Sequence, residues 1–259
     1  MPELTAGTLA GRHIVVTRPA GQADSLCHAI EARGGVALRF PVLAIGAADD
    51  SAPLDDIARR LDTFELAFFV SPNAVSHGLE AVLARRTWPA RVKVGTVGKG
   101  SERALCGFGF HDVIAPKEGF DSEAVLALDA FQAAAVSGRK VVIFRGDGGR
   151  DLLGETLRAR GAEVEYVTCY RRYCPQLDPS PLLRLAEAGQ LDAITLTSSE
   201  GAGNLVEMLG QRASIVLETV PVFAPHPRIV AHAAAAGFLR VIETPAGDEG
   251  LIVALESHF

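Results

Sequence analysis

Six short stretches carry residue types that hold an anion. Arg18-Pro19-Ala20-Gly21, Ser71-Pro72-Asn73, Gly98-Lys99-Gly100-Ser101, Arg145-Gly146-Asp147-Gly148-Gly149-Arg150, Thr197-Ser198-Ser199-Glu200-Gly201 and Pro225-His226-Pro227-Arg228 each follow an apolar run and precede a helical pattern. At such a turn the first N–H groups of a helix have no intrahelical partner and point outward, so carboxylates or phosphates are the natural ligands. Ser, Asn and Gly are equally ordinary N-caps and turn formers. The arginines weigh more, because a cap needs no guanidinium; a salt bridge to a local acid is the competing role for Arg18 and Arg145.

The chain offers no strong acid, base or nucleophile in a recognisable frame. Gly95-Thr96-Val97-Gly98-Lys99-Gly100-Ser101 is neither a P-loop, which needs Gly-Lys-Ser/Thr in succession, nor GxGxxG, since its glycines fall as GxxGxG. The seven histidines form no HExxH, and neither a GxSxG elbow nor a credible paired carboxylate is present. The four cysteines (27, 106, 169 and 174) have no metal-ligand spacing and read as reduced core or surface thiols. No metal and no cofactor is expected. A reaction carried by this set depends on positioning.

The elements that must position these turns alternate. Apolar β-branched runs predict strands over 12–17, 66–70, 92–97, 112–115, 140–144, 163–169, 192–197, 219–223 and 239–242. Between them, stripes at helical spacing predict a helix through Leu54, Ile57, Ala58 and Leu61, and helices over 74–85, 99–106, 121–136, 151–159, 180–188, 201–209, 227–236 and 248–257. Val36 to Ile45 is extended, but Pro41 makes it an edge strand or a connector. Such alternation implies parallel sheets covered by helices on both faces.

The pattern also occurs twice. Arg18 stands to Arg145 as Leu26 to Leu153 and Gly34 to Gly161, a constant offset of 127 residues. That period is the size of a domain, so the chain reads as two similar α/β domains. The proline-rich stretch 170–181 is a linker candidate, and it falls where the offset places the earlier connector at 43–54. The chain therefore crosses between domains twice, and with the domains facing each other the six turns would surround one cleft.

At 259 residues and 48% hydrophobic, the chain has enough apolar surface for two cores. No apolar run approaches the ~20 residues that span a bilayer, and the first residues lack a basic, then apolar, signal pattern, which predicts a cytoplasmic protein. The net charge of −6 argues against nucleic acid as a partner.

Taken in order, the motifs resemble the uroporphyrinogen-III synthase family. The resemblance runs from Thr17-Arg18-Pro19 with Gln22 and Leu26, through Phe69-Val70-Ser71-Pro72-Asn73-Ala74-Val75, Val97-Gly98 and Gly109-Phe110, to Arg145-Gly146 with Gly149-Arg150, Tyr170, Leu196-Thr197-Ser198 and Pro225-His226-Pro227-Arg228-Ile229. It implies two flavodoxin-like domains joined by a two-stranded connector, one from residues 1–38 with 174–259 and the other from 39–173 inserted between them. The connectors are expected near 38–46 and 168–176.

The resemblance further implies a substrate, the linear tetrapyrrole hydroxymethylbilane, and a reaction that removes water, inverts ring D and closes the macrocycle. Pyrrole nitrogen supplies the electron push, so the protein mainly folds the chain and disfavours the direct closure. Tyr170 is the implied hydrogen-bond partner of the departing hydroxyl; packing at a strand end is its alternative. The acetate and propionate groups would be held by Arg18, Ser71, Asn73, Gly98, Lys99, Gly100, Ser101, Arg145, Gly146, Arg150, Thr197, Ser198, Ser199, His226 and Arg228. A monomer is expected. Two other readings fit the same turns, a two-domain binding protein for a small anion and a nucleotide-dependent transferase.

Overall fold

The computed structural model describes residues 7–259. It begins with β1 (His13–Val16), α1 (Asp24–Glu31) and β2 (Val36–Arg39). The chain then enters a second sheet with β3 (Ala44–Ala47), α2 (Ala52–Arg60), β4 (Leu66–Phe69), α3 (Pro72–Leu83), β5 (Lys93–Thr96), α4 (Lys99–Gly107) and β6 (Val113–Ile114). It continues there through α5 (Ser122–Ala127), α6 (Ala133–Val136), β7 (Lys140–Gly146), α7 (Leu152–Ala159) and β8 (Glu163–Tyr173). The first sheet is completed after α8 (Ser180–Glu187) by β9 (Ala193–Thr195), α9 (Ser199–Leu209), α10 (Ala213–Thr219), β10 (Val222–Ala224), α11 (Pro227–Ala235), β11 (Val241–Glu243) and α12 (Gly247–His258).

Two compact units result, Met1–Ala44 with Tyr173–Phe259 and Ile45–Arg172. The first sheet has the order β11-β10-β9-β1-β2, the second β3-β8-β7-β4-β5-β6. Within the first sheet, and from β8 to β6 in the second, the paired strands run parallel. The order in the first unit is that of flavodoxin, 2-1-3-4-5. The second shows the same order when β7 and β8 are taken first, although they come last in its stretch of chain.

Each sheet is buried on both faces, which explains the unbroken apolar strands. In β7, Val142 and Phe144 belong to one core with Phe69, Val75 and Leu79, whereas Val141 and Ile143 belong to another with Phe68, Phe131 and Leu157. In β1, Val15 and its neighbours Ile14 and Val16 divide in the same way. Gly34 (φ +81°) and Gly161 (φ +89°) end α1 and α7, taking the left-handed conformation that a helix C-terminus favours.

Several expectations are corrected. The helix expected over 121–136 is broken, because Leu128 and Gln132 are extended (ψ 143° and 156°) and the Gln132 amide donates to the Leu126 and Leu128 carbonyls. Helix α10 occupies a stretch for which no element is predicted. The linker candidate 170–181 begins as strand, since β8 runs on to Tyr173, and the changes between units fall at 44/45 and 172/173. Pro41 lies between the edge strands β2 and β3, where its missing donor costs no ladder bond.

Candidate functional site

In an open parallel sheet the crevice for a ligand lies beyond the carboxyl ends of the strands, where their order reverses. In the first unit that point is between β1 and β9. Thr17, buried after β1, donates its hydroxyl to the Thr195 carbonyl at 2.6 Å, tying the two strand ends together. Arg18 follows, paired with Asp248 at 2.5 Å. After β9, Ser198 caps α9 by accepting the Gly201 N–H at 3.0 Å, and Thr197 precedes it in the same turn. His226 caps α11 with its ring nitrogen, Nδ1 accepting the Arg228 N–H at 3.0 Å, and Arg228 Nε lies 3.5 Å from Ser199 Oγ.

In the second unit the reversal lies between β7 and β4, and the assembly there is denser. Ser71 takes an extended conformation and caps α3, its Oγ accepting the Ala74 N–H at 3.1 Å; Pro72 at the first helical position gives up no needed donor. Asn73 lies in the same first turn. Tyr170 Oη is 3.2 Å from Ser71 Oγ. The Tyr170 ring is 7% exposed and lies beside His77 with centroids 5.9 Å apart and planes 25° from parallel.

A β-bulge aims Tyr170 there. Opposite β7, Arg145 pairs with Thr168 but Gly146 pairs with Tyr170, so Cys169 is the extra residue. Alternation alone would put Tyr170 on the face of Tyr166. Instead Val167, Cys169 and Tyr170 all join one core while Tyr166 packs against the other. Bulges re-aim side chains in this way, often beside active sites. Burial also pushes the Cys169 thiol up to about 12, so it stays protonated at neutral pH.

Gly146 makes room for the tyrosine. A Cβ at that position would lie 2.7 Å from Tyr170 Cζ and 3.0 Å from its hydroxyl. Gly146→Ala should therefore swing the ring away from Ser71 and slow turnover about tenfold, with an unchanged circular dichroism spectrum. A variant with the native rate would show that the ring position is immaterial.

On the other face, a cavity of about 300 Å³ opens at the ends of β4, β5 and β7. Phe68, Val97 and Ile143 give it an apolar floor, and Arg145, Arg150 and the Gly148-Gly149 backbone give it polar walls. Arg145 is held from three sides. It pairs with Asp151 at 2.5 Å, donates from Nε to the Gly148 carbonyl at 3.2 Å, and lies 4.8 Å above the Tyr166 ring. Arg150 meets Glu123 at 3.2 Å, and Lys99 meets Glu102 at 2.8 Å along α4. Gly98 and Gly100 flank Lys99 at the start of that helix, while Ser101 is only 2% exposed.

Tyr166 and His77 are additions that the sequence did not single out. Tyr166 Oη accepts the Gly154 N–H and donates to the Asp151 carbonyl, both at 3.1 Å, and burial pushes its phenol up, so the proton is retained. A Cβ on residue 154 would sit 2.1 Å from that oxygen, so Gly154 is part of the same fitting. The paired offset of Arg145 and Arg18 was a visible signal; the aromatic ring beneath Arg145 had none. Among the described residues, no three His, Cys, Asp or Glu side chains gather as a metal ion would require.

These features define a two-unit α/β protein whose amide-rich turns and arginines stand at the carboxyl ends of parallel strands. The family model for uroporphyrinogen-III synthase HemD matches residues 24–252, and the chain belongs to that family. It is 33% identical over 189 residues to the uroporphyrinogen-III synthase of Salmonella typhimurium (72% of this chain, 76% of that protein) and 29% identical over 199 residues to that of Escherichia coli (76% and 80%). In fold it is similar to a mutant uroporphyrinogen III synthase from Thermus thermophilus, with a TM-score of 0.59, 16% identity and coverage of 95% and 98% of the two chains. The uroporphyrinogen-III synthetase of Helicobacter pylori gives 0.57, 15% identity and coverage of 95% and 99%.

Proposed function

We propose that this chain converts hydroxymethylbilane into uroporphyrinogen III, a cyclising loss of water in which ring D is inverted. Family membership supports the reaction, and the Tyr170–Ser71 pair at the strand-order reversal of the second unit is the observation that carries the assignment of roles. Electron release from a pyrrole nitrogen expels the hydroxyl with a proton as water, leaving an azafulvene. The substituted carbon of ring D attacks it, and the spiro intermediate fragments and recloses with the ring reversed. Nothing in this sequence needs a strong base.

Tyr170 is the proton source in this proposal, and the proton it gives is made good by the one the pyrrole N–H releases as the azafulvene forms. The Ala74 N–H already occupies one acceptor site of Ser71 Oγ. When the Ser71 hydroxyl donates to the phenol oxygen, the phenol proton remains directed at the departing hydroxyl. The turns of Arg18, Ser71, Asn73, Gly98 to Ser101, Arg145 to Arg150, Thr197 to Ser199, and His226 to Arg228 then serve the substrate carboxylates, largely through backbone N–H groups. Charge reaches them from arginines that local acids hold in place. The protein acts as a monomer in the cytoplasm in this reading; among the described residues no helix is long and apolar enough to cross a membrane.

The test is to supply hydroxymethylbilane, oxidise the products and separate the isomers. Isomer III is expected, and isomer I alone, the product of unassisted closure, would refute the proposal. Arg145→Ala should raise KM about tenfold with little change in kcat, as expected when a charge-assisted carboxylate contact is lost. An unchanged KM would confine Arg145 to its pairing with Asp151.

A further inference from the structure

A second cavity, of about 220 Å³, lies at the opposite end of the second sheet, by the first residues of β4, β5 and β7. Ligands of this kind of sheet gather at the carboxyl ends, so the fold itself gives no reason for a recess here. Its floor is apolar, made of Leu66, Ile114, Val136 and Val141, and its rim carries Arg91, Lys93 and Arg139. Among the described residues none of these three side chains has an ion-pair or hydrogen-bond partner. Asp62, which feels the charge of Arg91, is already paired with Arg86 at 3.0 Å. Glu65 is the one acid in the lining, and its carboxylate accepts the Lys140 N–H at 2.6 Å.

In a chain of net charge −6, three cations facing one acid across a hydrophobic floor is a local reversal of sign. We infer that this recess is a binding site for a small aromatic dicarboxylate, separate from the turns that serve the reaction. The rim leaves two positive charges uncompensated, which matches a dianion. The floor favours a flat carbon body, because a bare oxyanion would lose water there without gaining partners. The volume falls below the ~300–1,000 Å³ usual for ligand pockets, which suits one ring and excludes a tetrapyrrole. Arg91, Lys93 and Arg139 hold the carboxylates in this assignment, and Leu66 and Val141 face the ring.

The experiment is calorimetric titration of the full chain with isophthalate, and separately with inorganic phosphate. Isophthalate should bind saturably at one site. The double variant Lys93→Gln/Arg139→Gln should weaken it at least about tenfold, one RT ln 10 step, and Ala135→Leu, which fills the recess from an exposed short helix, should do the same. Arg145→Gln, at the other end of the sheet, should leave it unchanged. Three results would overturn the inference: no saturable binding, loss in Arg145→Gln with retention in the rim variants, or phosphate binding as tightly as isophthalate.

Discussion

Tyr170→Phe is expected to lower the rate of uroporphyrinogen III formation by about a hundredfold while the protein remains folded. A positioned proton donor contributes ~10²–10⁴ to a rate, and the substrate supplies its own electron push, so the lower end applies. The structural cost is small by comparison. The phenol makes one bond, to Ser71 at 3.2 Å, and Ser71 keeps its partner at Ala74 when the phenol oxygen is gone. Removing that bond costs about 1 kcal/mol. The ring still covers Gly146 and still faces His77. Single-turnover rates and urea unfolding, measured together, separate the two contributions. A native rate in this variant would remove Tyr170 from the mechanism, whereas a variant that fails to fold would assign it to packing.

Comparison with Gly146→Ala isolates position from chemistry. That variant keeps the phenol proton but displaces the ring, so its defect should be the smaller of the two. The bulge that brings Tyr170 over Gly146 also marks the limit of what the sequence conveys. Strand β7 is legible in Val141 to Phe144 because both faces are buried and every side chain is apolar. Helix α7 is legible in its stripe and in Gly161. Alternation along β8, however, assigns Tyr170 to the wrong face, since one extra residue at Cys169 reverses the parity and leaves no trace in composition. The break of the helix expected over 121–136 was hidden for a similar reason. Ala-rich sequence favours a helix, but the Gln132 amide satisfies carbonyls that the continuing helix would have used.

The arginines show a different limit. Their position after apolar strands is plain in the sequence, and so is the competing role of a local ion pair. The fold shows the ion pair for Arg145, and its guanidinium also lines the cavity while Asp151, Gly148 and Tyr166 fix its direction. A side chain that is 13% exposed and held this firmly has little conformational freedom left to lose in the proposed carboxylate contact. Arg18, paired with Asp248 and 18% exposed, has the same character in the first unit.

Phe144→Ala should destabilise the unit Ile45–Arg172 by about 4 kcal/mol, within the ~3–5 kcal/mol typical of a Phe→Ala change in a core. Phe144 is fully buried and stacks on Phe69 with centroids 4.6 Å apart and planes 16° from parallel. The absence of a side chain at Gly78 allows the fit, since a Cβ there would come within 2.9 Å of the Phe144 ring. Truncation would leave a void that the α3 backbone and the Phe69 ring cannot close without moving β4. The two rings sit one residue before Arg145 and two before Ser71, so any movement reaches the turns of the proposed site directly. Unfolding by urea should show the loss in stability. At a temperature where the variant is still folded, isomer III formation should fall as well, because Ser71 and Tyr170 no longer meet at a fixed distance. A loss below ~1.5 kcal/mol, the scale of a volume-conserving swap, would mean that the core under the site relaxes around the void. The rigid positioning on which the proposed mechanism depends would then have no structural basis.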